Sequence, residues 1–119
     1  MIIKDSKFRQ AILAALADSE MLNIINHVMH QPRTFNDIVK ETNIPNTTAF
    51  RKIKLMMDSG LLITEKFHMT NDGKKSSLFR STLRSIVVRY ENNEVMIEAE
   101  KNIDAMTKTT ERFFSLDSE

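Results

Sequence analysis

The chain has no cysteine among its 119 residues. Disulfides and thiolate chemistry, nucleophilic or metal-binding, are therefore closed to it. Glycine is nearly as scarce, with Gly60 and Gly73 the only two. A loop that cradles phosphates needs a cluster of glycines, so that class of nucleotide site is excluded. No run of eighteen apolar residues occurs, so no transmembrane helix and no membrane partner are expected. The first ten residues, MIIKDSKFRQ, lack the apolar stretch and cleavage site of a signal peptide, and the cytoplasm is the expected location. No paired carboxylates and no Ser/His/Asp arrangement stand out. The reading is of a protein that is not an enzyme and needs no cofactor.

What is present begins with charge. The formal net charge is +1, but it is unevenly spread. Residues 33–90 hold eleven basic and five acidic side chains, a net of +6. Residues 91–119 hold three basic and eight acidic, a net of −5. A basic segment inside a near-neutral chain suits phosphates, although a solvated surface can also look like this.

The basic segment contains the most informative stretch, NIPNTTAFRKIKLMMDSGLL (43–62). A short helix is predicted before it, over 34–42, with Thr34 as its cap and Asp37 three residues on as an imperfect capping box. Asn43 is a residue that tolerates a left-handed backbone. Pro45 cannot continue the first helix and pushes Ile44 toward an extended conformation. Asn46 is then expected to cap a second helix, which Gly60 ends. Two short helices joined by a three-residue turn form a helix-turn-helix, here over 34–59, whose second helix can enter a DNA major groove. Ile44, Ala49, Ile53 and Met56 or Met57 fall on one face and should pack inward.

These residues resemble a known family. The stretch 43–62 is similar to the recognition segment of winged helix-turn-helix transcriptional regulators of the ArsR-like type, especially archaeal ones. Those typically read Gly-Ile-Ser-x-Ser-Thr-Val-Ser-Arg-His-Leu, then Leu and Gly-Leu-Val. Ile44, Thr48, Arg51, Ile53, Gly60 and Leu61 fit without a gap. Asn43 stands for Gly, Ala49 for Val, Phe50 for a small polar residue and Lys52 for His. The resemblance covers roughly residues 17–80. It implies DNA binding and says nothing of the operator. Family members that sense soft metals use cysteine thiolates, a mode this chain lacks.

Around that segment the pattern reads as α+β. A first helix is expected over 6–17, with AILAALA (11–17) apolar nearly all round and so buried on more than one side. Asp18 can cap a second helix from Ser19 to about Met29, with Leu22, Ile25, Val28 and Met29 inward. After Gly60 the period changes to that of strands. Residues 61–69 and 74–80, joined through Asn71-Asp72-Gly73, form a hairpin over 61–80, the wing. A second hairpin follows over 84–100. With Asn92-Asn93 as its turn, Tyr90 opposes Val95, Val88 opposes Ile97 and Ile86 opposes Ala99 on one face. Arg89 opposes Met96 and Val87 opposes Glu98 on the other. This hairpin is expected to extend or cover the wing sheet. A terminal helix over 102–116 carries Ile103, Met106, Phe113 and Phe114. The fold predicted is a single winged-helix domain over 1–119, with an extra C-terminal hairpin and a terminal helix. The first and last helices are expected to form a homodimer.

Candidate DNA contacts follow from these placements. Asn46, Thr47, Thr48 and Arg51 are candidates for reading base edges. Phe50 has two readings of equal weight: contact with a thymine methyl or the sugar backbone, or packing under the wing. Lys52 and Lys54 are read as phosphate contacts. Lys66, Lys74, Lys75 and Arg80 are placed on the wing, against the backbone or minor groove. Lysines also guard exposed strand edges, and a plain solvated hairpin tip would look the same. His27 and His30 sit three apart, a spacing that can share a metal. No adjacent Asp, Glu or Cys completes a set and His68 stands alone, so no metal site is assigned. The eight methionines are read as flexible core packing. The function expected is a sequence-specific double-stranded DNA-binding transcriptional regulator acting as a homodimer. The alternative is a winged helix used as a protein-interaction module within a transcription or RNA-processing assembly.

Overall fold

Each of the first three helices begins at a side chain that accepts its orphan amide hydrogens. The computed structural model describes residues 1–69 and 71–102. Helix α1 (Ser6–Leu16) starts at Asp5, whose carboxylate accepts from the Phe8 amide. Helix α2 (Ser19–Val28) starts at Asp18, which accepts from the Glu20 and Met21 amides, each at 3.0 Å. Helix α3 (Phe35–Thr42) starts at Thr34 with a complete reciprocal capping box: Asp37 N donates to Thr34 Oγ1, and Thr34 N donates to Asp37 Oδ2. Such caps contribute about 0.5–2 kcal/mol each.

Helix α4 (Asn46–Ser59) departs from the expectation at its start. The cap position falls on Pro45, extended at φ −56° and ψ 144°, and no side chain caps the helix. Asn46 is already the first helical residue, because the Pro45 carbonyl accepts the first helical bond, from Ala49 N at 2.9 Å. The turn itself is as expected, with Asn43 left-handed at φ 59°. Gly60, at φ 88°, ends α4 in the same left-handed region, where a side chain would be strained.

The helices pack their apolar faces into one core. Phe8, Ile12, Ile24, Val28, Ile38, Ala49, Ile53 and Met56 are all buried, together with Leu62, Leu83 and Ile97 from the strands. Each large side chain so buried contributes roughly 1.5–3 kcal/mol. In α2 the innermost residues are Ile24, Ile25 and Val28, while Leu22 stays half-exposed. Of residues 11–17, Ile12 and Ala15 are buried and Ala11, Leu13 and Leu16 pack against the same core. Only Ala14 and Ala17 are exposed. Among the described residues, no helix is long and apolar enough to cross a membrane.

Strands β1 (Leu62–Met69) and β2 (Lys75–Ser81) form an antiparallel hairpin, with a register shift between Thr64 and Lys66. Arg33, between α2 and α3, adds a short bridge to it: its amide and carbonyl exchange hydrogen bonds with Phe79. Helices α1 to α4 followed by this hairpin make a winged helix-turn-helix.

Strands β3 (Leu83–Glu91) and β4 (Glu94–Lys101) form the second hairpin in the expected register: Tyr90 faces Val95, Val88 faces Ile97 and Ile86 faces Ala99. Asn92 and Asn93 both have positive φ, 54° and 64°, the signature of a type I′ turn. The hairpin does not extend the wing, however. It is a separate two-stranded sheet, because the chain turns sharply between β2 and β3 at buried Thr82. Thr82 is tied to Leu61 through its amide, and its hydroxyl donates to the Gly60 carbonyl at 2.8 Å. The chain's own N-terminus runs along β4 instead. Ile3 N donates to Ile97 O, Ala99 N donates to Met1 O, and Ile2 bridges Glu98. The helix expected over 102–116 lies outside the described residues apart from Asn102. Asn102 is buried and its amide nitrogen donates to the Met29 carbonyl at 2.6 Å.

Candidate nucleic-acid interface

The polar side of α4 is where the expected contacts gather. Asn46, Thr47, Arg51 and Lys54 are exposed, and Thr48 is half-buried. Arg51 and Lys54 form no ion pair among the described residues. One row of α4 is thus a free donor surface at the edge of the fold, the arrangement that major-groove readout requires.

Lys52 does not belong to that surface. It is 8% exposed, and its ammonium lies 2.7 Å from Asp18 and 2.8 Å from Glu20. A cation buried between two carboxylates cannot reach a phosphate without breaking both pairs, so the sequence-based assignment of Lys52 is corrected. The hydrogen bond from Lys52, followed by that from the Met21 amide, holds the Asp18 carboxyl below its ordinary pKa. Asp18 and then Glu20 hold the Lys52 ammonium above its own. Asp18 therefore caps α2 and clamps α4 with one carboxylate.

Arg80 is corrected for the same reason. It is 6% exposed. Its guanidinium donates to the Met29 carbonyl, to Glu65 and to Asn102 Oδ1 at 3.3–3.4 Å. It is a structural link between the wing, the end of α2 and the end of β4. Of the other wing cations, Lys74 and Lys75 are exposed beside the turn at Gly73, where Asp72 accepts from the Lys74 amide. Lys66 pairs with Leu78 in the ladder; its side chain lies outside what the structure describes.

Phe50 is 64% exposed on α4. Its ring meets Phe35 edge-on, with centroids 6.4 Å apart and planes at 76°. Both rings border an apolar cleft of about 460 Å³ between α3, α4 and β2, with Ile53, Met57 and Phe79 in its wall and Lys54 and Asp58 at its rim. Sequence reasoning missed this cleft, since Phe35 and Phe79 carry no local signal that they meet α4. On α2, His27 Nδ1 donates to the Asn23 carbonyl at 2.8 Å, and its Nε2 lies 3.9 Å from Glu41. Glu41 is also paired with Arg33 at 3.4 Å. Among the described residues no cluster of three or more metal-ligating side chains forms.

No protein-family model matches the chain, and no curated protein matches it. Among solved structures it is similar to the homodimeric winged helix-turn-helix DNA-binding domain (fragment 1-100) of Mb0332 from Mycobacterium bovis, described as a possible ArsR-family transcriptional regulator. The two share 16% identity over 97% of this chain and 85% of that one, with a TM-score of 0.40.

Proposed function

We propose that this chain is a sequence-specific double-stranded DNA-binding transcriptional regulator that acts as a homodimer. Helix α4 enters the major groove, with Asn46, Thr47, Thr48 and Arg51 toward base edges and Lys54 on a phosphate. The wing tip, with Lys74 and Lys75, meets the backbone or the minor groove, and Lys66 is the remaining wing candidate. One observation carries this reading. The cations that pack inward, Lys52 and Arg80, have carboxylate partners, whereas Arg51 and Lys54 are exposed and enter no ion pair among the described residues. In a homodimer, two copies of α4 about 34 Å apart match two half-sites one helical turn apart.

The test is the salt dependence of duplex binding. With about 4–8 phosphates neutralised per dimer, log affinity falls against log salt with a slope of roughly −4 to −7. A slope near zero from a properly folded protein would sink the nucleic-acid reading. The exposed Phe50 and the apolar cleft beside it favour a second reading, a protein-interaction module; such a module shows no salt-dependent shift with duplex.

A further inference from the structure

The outer half of the β3–β4 hairpin exposes apolar side chains on both faces, and the face away from the core also carries Arg89, Glu91 and Glu94. Val88 is 40% exposed and Tyr90 69% on the face that continues the core, and Val87 49% and Met96 38% on the opposite face. The two edges of this small sheet are treated differently. The β4 edge is occupied by residues 1–3, and Arg9 donates to the Val95 carbonyl at 2.6 Å. Among the described residues nothing pairs with the outer edge of β3. A two-residue turn at Asn92-Asn93 makes Glu91 and Glu94 the closing hydrogen-bonded pair, so Arg89 and Val87 also bond toward β4. The N–H and C=O groups of Ile86, Val88 and Tyr90 therefore point outward. Their chemistry asks for another strand. The edge is only lightly protected: its charges are Arg84, Arg89 and Glu91, it has no proline and no lysine, and its only irregularity lies at the base, between Leu83 and Ser85.

We propose that β3 is the dimerisation strand, pairing antiparallel with β3 of a second copy across a two-fold axis at Val88. This names the interface of the homodimer read above and rests on that reading. The occupant follows from self-complementarity. A two-fold axis through such a pair places opposite each other only residues that share a face. Centred on Val88, each Ile86 meets Tyr90 of the other copy, Arg89 meets Val87 and Glu91 meets Ser85, so no like charges face each other. Centred on Arg89, two arginines would meet on the axis. Centred on Val87, the tip of the second hairpin would run into Leu83 and Thr82, which are buried in the domain. The chosen register joins two hairpins into a four-stranded sheet and extends its apolar row across the axis. The helix expected from the sequence over 102–116 lies outside the described residues apart from Asn102. Helix α1, with only Ala14 and Ala17 exposed in its apolar run, has less to offer a partner than the sequence pattern implied.

Because the chain has no cysteine, single substitutions report the interface directly. Paired residues in such a ladder have Cα atoms about 5.5 Å apart, within reach of a disulfide. Under mild oxidation the full-length Val88→Cys variant is expected to shift to a covalent dimer of twice 13.8 kDa. Ala14→Cys on α1 is expected to stay at the monomer mass. Val88→Lys is expected to give a monomer by light scattering that still binds a single half-site duplex. If the parent protein is a dimer but Val88→Cys does not link, or links no better than Ala14→Cys, the β3 interface is wrong. A dimer that survives Val88→Lys overturns it equally. A monomeric parent overturns both the interface and the homodimer, and leaves single-site DNA binding to be judged by its salt slope.

Discussion

Lys52 and Lys54 stand two residues apart on α4, and a matched pair of substitutions separates their roles. Lys52 is held by carboxylates at 2.7 and 2.8 Å, with its side chain 10% exposed. Lys54 is exposed. Each phosphate contact contributes about 0.9 to the slope of log affinity against log salt. A dimer loses two such contacts in Lys54→Met, so the slope should become shallower by about 1.8. Lys52→Met should leave the slope unchanged. It instead leaves Asp18 and Glu20 facing each other without their cation, so its melting temperature should fall while that of Lys54→Met does not. Any loss of affinity in Lys52→Met should be the same at every salt concentration, as expected when a helix is set slightly out of place. The assay is fluorescence anisotropy of a labelled duplex over roughly 50 to 300 mM salt, well below both melting temperatures. If Lys52→Met flattens the slope as much as Lys54→Met, the buried ion pair does not describe the protein in solution and the original phosphate assignment returns.

Arg51→Ala should cost about 1–3 kcal/mol on a specific duplex and little on random sequence; an unchanged ratio of the two affinities would make Arg51 a phosphate contact. The pH dependence of stability should follow the Asp18–Lys52 pair. Asp18 titrates below its ordinary 3.8 in the folded state, so its contribution is complete above that value and is lost as pH falls through the lowered one. Lys52 titrates above its ordinary 10.5, so its contribution is complete below that value and is lost as pH rises through the raised one. Asp18→Asn should therefore show a shallower acid limb in thermal melts from neutral pH to about pH 2, and an unaltered limb would contradict the pair. Gly60→Ala forces a side chain into the left-handed cap of α4 and should destabilise the fold by about 1–2 kcal/mol, lowering the melting temperature by several degrees.

Much of this protein was legible in its sequence wherever the deciding interaction spans only a few residues. Asp18 capping α2, the Thr34–Asp37 box, the left-handed Asn43 and the stop at Gly60 each involve groups within four positions of one another. Local geometry alone fixes them. The β3–β4 register was readable because a period of two and a two-residue turn leave one pairing that sorts apolar from polar. One failure is itself local, and the others are of the opposite kind. Asn46 lost the cap because Pro45 took the extended position one residue earlier, a difference of one residue that propensity does not resolve. Lys52 and Arg80 look like neighbours of Arg51 and Lys74 in the sequence. Only the folded chain brings Asp18 to Lys52 from 34 residues away, and Asn102 to Arg80 from 22. A cation's partner is set by which surfaces the core draws together. The separation of the two hairpins into different sheets likewise depended on Thr82, whose bonds to Gly60 and Leu61 reach back more than twenty residues. Residue types and periods determined the elements and their ends. Tertiary packing decided which charges face outward, and with them which surface is left to meet another molecule.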